Sequence, residues 1–170
     1  MLPDPLHPAV VHFPIVLTFL LPIVALLALW RIRRGTPARP AWALAVATAA
    51  ALSLSAWVAV ETGEADEERV EHAVGEAPLE GHEESAQRFL MLSAGVLLLA
   101  GAGLLSGRIG NTARLVATAG ALGLVVAAAQ VGHSGGELVY RHGAAGAYAQ
   151  TGGGADLPVE ESDRDADGDD

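Results

Sequence analysis

The chain contains no cysteine and no lysine. Without cysteine it can form no disulfide, no thiolate metal site and no thioether link to haem. All ten basic residues are Arg, set against 20 acidic ones, for a formal net charge of −10. Phosphate binding needs a basic face, so nucleic acid is not an expected partner. Aromatic residues make up only 5% of the 170 residues, although 51% are hydrophobic. A composition carried by Ala, Leu, Val and Gly suits closely packed membrane helices better than a soluble core. No nucleophile elbow, P-loop or dinucleotide fingerprint occurs, so an electron carrier or a subunit is expected rather than a stand-alone enzyme. The opening MLPDPLHP has no basic segment and no small-residue cleavage site follows soon after it, so the first apolar stretch is expected to be a retained helix.

What the chain does have is four apolar stretches, about Val10–Trp30, Ala41–Val60, Phe89–Ser106 and Ala113–Val131. Each is close to the ~20 residues that a helix needs to cross a bilayer. A soluble bundle would need polar stripes, yet between Val16 and Leu29 the only polar side chain is Thr18. The expected fold is all-α: a four-transmembrane-helix bundle at 1–150, with helices about 10–30, 41–60, 79–106 and 113–132 and an outer acidic loop at 61–87. That loop reads helical from Glu64 to about Val74, and helix three is expected just after Pro78. The acidic tail at 151–170 is too polar to order itself; Asp163, Asp165 and Asp167 copy half a calcium loop without its closing Glu.

Arg31, Arg33, Arg34 and Arg39 crowd the first short turn, and Arg108 and Arg114 the third. Such loops stay in the cytoplasm, which puts both termini and the acidic loop outside the inner cell membrane. Trp30 and Trp42 are expected at the inner interface and Trp57 near the outer one. Pro14 and Pro22 should bend the first helix. Rows of small residues (Gly103 and Gly107; Ala119, Gly123 and Ala127) would let helices approach closely and could serve a homo-oligomer.

All six histidines fall outside the two Arg-bearing turns, so they are expected near one membrane surface, where ionisable groups mark a site. Two imidazoles from different helices at equal depth are what a b-type haem needs. The expected axial pair is His12 and His133, with His82 and His142 as a second pair or as substitutes. Arg141 could pair with a haem propionate, and Glu61, Glu83 and Glu137 could accept the remaining ring N–H groups. The same four histidines could instead hold a divalent ion, zinc above all; copper(I) is disfavoured with two Met and no Cys. Helical spacing puts His82, Phe89 and Ser93 on one face. His7, in a short leader before Pro8, and His72, on a solvated acidic helix, are read as plain interface residues.

The segments LHPAVVHFPIVL, GHEESAQRFL and GHSGGELVYRHG resemble those of an uncharacterised membrane family, domain of unknown function 2231, over about residues 5–147. The resemblance implies a four-helix membrane protein and carries over His7, His12, His82, His133 and His142 by position. Its cytochrome-like associations imply haem b and electron transfer. The function expected is an electron-transfer module between a membrane quinol and an acceptor at the outer face, whose acidic surface would attract a small basic cytochrome. A cofactor-free subunit or scaffold and an outer-face divalent-metal protein are the alternatives.

Overall fold

A computed structural model of the chain describes residues 6–146, which are almost wholly helical. In chain order the helices are α1 (His7–Val10), α2 (His12–Arg33), α3 (Ala38–Glu64), α4 (Glu67–Val74), α5 (Glu76–Ala102) and α6 (Gly107–Tyr140). Four helical stretches are long and apolar enough to cross a membrane: α1 with α2, α3, α5 and α6. Helix α2 packs on α3 and α6, and α5 packs on the same two, so the spans close into a ring with α3 and α6 diagonally opposed. The axis of the ring is lined with small residues, among them Ala25, Ala45, Ala49 and Ala121, with Leu21, Leu52 and Leu124 between them. The outward faces are the reverse of a soluble surface: Phe13, Phe19, Leu44, Met91 and Leu98 are all exposed. Such faces belong against lipid, where helices satisfy their own backbone groups.

The helix limits follow from local chemistry. The short break at Val11 lies four residues after His7 and three before Pro14. Pro14 has no N–H to give the carbonyl of Val10, and its ring crowds that carbonyl. Pro14 and Pro22 sit inside α2, as expected, and the Thr18 hydroxyl donates to the Pro14 carbonyl at 2.7 Å. The acidic segment is helical, as expected, in α4 (Glu67–Val74), but the helix after it starts earlier than expected. Helix α5 begins at Glu76, ahead of Pro78, because a first-turn N–H has no intrahelical partner to lose. Gly75 separates α4 from α5 at φ 84°, a left-handed conformation that favours glycine. Helix α6 does not stop near residue 132; it runs through GHSGGELVY to Tyr140. The acidic tail lies outside the described residues.

The end of the bundle that carries the arginine turns is closed. Helix α5 ends there, and its last carbonyls have no intrahelical donors. Trp42 Nε1 donates to the Ala100 carbonyl at 2.9 Å. Arg39 Nε donates to Leu104 at 3.2 Å, and Arg114 Nη2 to Leu105 at 3.0 Å. Trp42 is therefore a core residue, only 1% exposed, and not a member of an aromatic belt. Trp30 and Trp57 are half exposed, consistent with interface positions.

Candidate functional site

The histidine end of the bundle is hollow. A cavity of about 430 Å³ reaches from the acidic residues at the mouth to Thr18, Ala56, Phe89 and Ala128 at its floor. Small side chains at Ala56 and Ala128 leave the space, and the walls are mostly apolar. Its roof comes from a second small core in which Val70 of α4, Leu79 of α5, Leu138 of α6 and Ala144 meet. The charged side chains among its described lining residues are Glu64, Asp66, Glu67 and Glu83.

Two imidazoles enter this cavity, His7 and His82. His7 Nδ1 lies 2.8 Å from the Ala59 carbonyl of α3. A carbonyl can only accept, so Nδ1 carries the proton. His82 Nδ1 lies 2.9 Å from Ser134 Oγ, whose own proton goes to the Val131 carbonyl at 3.0 Å. Ser134 thus accepts, and His82 also carries its proton on Nδ1. With Nδ1 as the donor, the neutral form of each ring has Nε2 as a lone-pair acceptor, which has no hydrogen-bond partner among the described residues. Each ring is backed by a glycine: a Cβ on Gly63 would stand 3.2 Å from the His7 ring, and one on Gly135 would stand 3.1 Å from His82 Cε1. The rings lie on opposite walls, His7 against α3 and His82 against α6.

Protonation of the site follows from its position. His82 and Glu83 lie in the charged first turns of α5, before the apolar stretch that begins near Phe89, and so stand above the membrane-spanning part. Burial, and then the proximity of His7, hold the His82 pKa below its ordinary value, against a smaller upward pull from the Val131 carbonyl. Burial also raises the Glu83 carboxyl, with further contributions from Glu67, Glu64, Glu71 and Glu80.

The other expected site residues are dispersed. His12 and His133 are both exposed and neither lines the cavity, so the expected axial pair is not brought together there. His133 Nε2 is 3.8 Å from Glu137 and its side chain is 77% exposed. Glu137 also accepts from Arg141 Nη1 at 2.7 Å, which turns Arg141 along the surface. His142, His72 and Glu61 are exposed as well. His82, Phe89 and Ser93 do share the inner face of α5. No group of three or more metal-ligating side chains gathers among the described residues. Sequence reasoning passed over His7, and Ser134, Gly63 and Gly135 with it. The available signal was Pro14, which breaks the helix between the two leading histidines.

No curated protein and no solved structure shows a significant match to the chain. Residues 3–147 match the profile of the family described as predicted membrane protein (DUF2231). That span takes in all four crossing helices, both cavity imidazoles and the glycines behind them. With four apolar spans around a hollow, histidine-bearing end, the chain belongs to the DUF2231 family of membrane proteins.

Proposed function

We propose that this integral membrane protein is a small-molecule binding module, with the cavity at its histidine end as the working site. One observation carries the reading. Two imidazoles from different spans line one mainly apolar space, each with Nδ1 committed to a hydrogen bond, which leaves Nε2 as its uncommitted nitrogen. The volume lies within the ~300–1,000 Å³ of ligand sites, and apolar walls with a few placed polar groups are their usual lining. The positive-inside rule supports an orientation with this end outside the cytoplasm, so that the ligand comes from the outer surface or outer leaflet.

A b-type haem is the second reading, favoured by the same two rings. Imidazoles that ligate metals generally donate the other ring N–H to a carbonyl or hydroxyl, as both do here. The mouth disagrees with it: Glu64, Asp66, Glu67 and Glu83 would meet the propionates with like charge. Arg141, the expected propionate partner, is engaged by Glu137. We therefore derive no electron-transfer step through haem.

Purification in detergent after expression with ample haem decides between these readings. The expected result is a protein with no Soret band, oxidised or dithionite-reduced, from which an apolar molecule is extracted and identified by mass spectrometry. That molecule should be lost from a His7→Phe, His82→Phe double variant and kept in His12→Ala, His133→Ala. Sharp reduced bands lost in the first variant would establish haem instead. A colourless protein that yields no bound molecule and takes up none would leave a cofactor-free subunit.

A further inference from the structure

We propose that the cavity takes a hydroquinone of the membrane kind, an uncharged aromatic ring with two para hydroxyls and an apolar tail, and prefers it to the corresponding quinone. The inference rests on the binding reading above and names its ligand.

Three features select that chemistry. The first is the pair of cavity-lining imidazoles, His7 bonded to α3 and His82 to α6, each with only Nε2 uncommitted. An acceptor asks for a donor, and two acceptors held by different helices ask for a ligand with two donors. A para diol supplies an O–H to each. Its quinone offers only carbonyl oxygens, which would face the nitrogen lone pairs and leave them without donors, a loss that polar sites discriminate strongly. The second is charge. Four carboxylates at the mouth disfavour a fatty acid, a phospholipid phosphate or any other anionic head, while an uncharged diol passes them. The third is shape. From His7 to Thr18 the cavity follows 11 residues of chain, ~16 Å of helical rise, and its lining there includes Ala56, Phe89 and Ala128. A ring held at the level of the imidazoles has an apolar path below it for a tail.

Ser134 is a positioning residue in this scheme. It touches no ligand, but its hydroxyl oxygen is the acceptor that keeps the proton of His82 on Nδ1 and therefore the lone pair on Nε2.

The test is anaerobic titration calorimetry of the full-length protein in detergent with four decyl-tailed probes: a hydroquinone, its quinone, its dimethyl ether and decanoic acid. The hydroquinone should bind at least ~10-fold more tightly than the other three, a factor that corresponds to one lost hydrogen bond of ordinary strength. His7→Phe and His82→Phe, which keep the ring volume, should each remove a similar factor for the hydroquinone and leave the quinone unchanged. Ser134→Ala should narrow the hydroquinone-to-quinone ratio, a change in selectivity that a loss of stability alone would not produce. Equal affinity for hydroquinone and quinone in the unaltered protein, or tighter binding of decanoic acid, would overturn the proposal without need of any variant. Should no probe bind while another extracted molecule occupies the cavity, the hydroquinone assignment fails and the binding reading stands. Should nothing occupy it, both fail.

Discussion

The two ends of this bundle are built on opposite plans from the same kinds of residue. Both place glycines where a neighbouring group approaches closely. At the arginine end there is no room left: a Cβ on Gly110 would lie 1.8 Å from the Leu105 carbonyl oxygen, and one on Gly103 would lie 2.4 Å from Trp42 Nε1. At the histidine end the corresponding approaches, 3.2 Å at Gly63 and 3.1 Å at Gly135, end on imidazole edges that border a cavity. The arginine end spends its donors on carbonyls at the end of α5 and in the turn that follows it, Ala100, Leu104 and Leu105. Arg114 is only 3% exposed, bonded to Asn111 Oδ1 and Leu105, with no carboxylate in ion-pair range among the described residues. Its charge faces the negative end of the α5 dipole instead. The histidine end holds its rings by Nδ1 and leaves Nε2 free. Inside a bilayer, helices gain little from hydrophobic burial against one another, so close packing and hydrogen bonds hold them together. Concentrating these at one end allows the other to stay hollow without loss of the fold.

That comparison can be broken most severely at Gly110. Gly110→Ala should cost about 3 kcal/mol or more, as overpacking against backbone does, because the α5–α6 turn and the Arg114 bond must both move. Thermal unfolding in detergent, followed by circular dichroism, reads the effect directly. Trp42→Phe comes next: it keeps most of the volume but leaves the buried Ala100 carbonyl without its donor, for about 1–3 kcal/mol. Gly135→Ala is the matched change at the hollow end. It needs a shift of only a few tenths of an ångström in the His82 ring, so the midpoint should fall by less than about 1 kcal/mol equivalent while ligand affinity drops. A Gly135→Ala loss as large as that of Gly110→Ala would show that the histidine end carries the fold as well.

The smallest effect concerns pH, and it has two opposed parts. The folded His82 pKa is lowered, so the unfolded chain takes up the proton first. Stability contributed by the neutral ring is present above ~6.5 and falls as pH drops below that value, until the folded group also titrates. Ligand affinity should fall only at lower pH still, where the folded His82 itself takes up the proton on Nε2. Glu83 has a raised pKa, so the folded chain protonates first there, and stability rises as pH falls through that raised value toward the ordinary carboxylate range. Unfolding midpoints between pH 8 and pH 4 should lose the first slope in His82→Phe and the second in Glu83→Gln.

Much of the fold was legible in the chain. Apolar runs of the right length marked four spans, and the arginine turns marked one end. The boundaries were less legible, since Pro78 reads as a barrier although the first turn of α5 tolerates it, and the glycines of GHSGGELVY read as a loop although α6 continues through them. Trp42 shows a different limit. An indole near a helix end suggests an interface until a carbonyl from another helix lies within its reach. The site was less legible: the sequence pairs His12 with His133 and His82 with His142, whereas the cavity is lined by His82 and His7. His7 and His12 are five residues apart, about 140° around an ideal helix, so the two could not both face inward. Which of them does depends on the break before Pro14 and on the packing of α1 against α3.

The sequence by itself determined that this chain crosses a membrane four times with its histidines at one end, because hydropathy and charge add up along each helix without reference to its neighbours. Only the tertiary structure decided that His7 and His82 share a cavity while His12 and His133 face outward. The direction of a side chain depends on the rotation of its helix about its own axis, and that rotation is set by contacts with other helices.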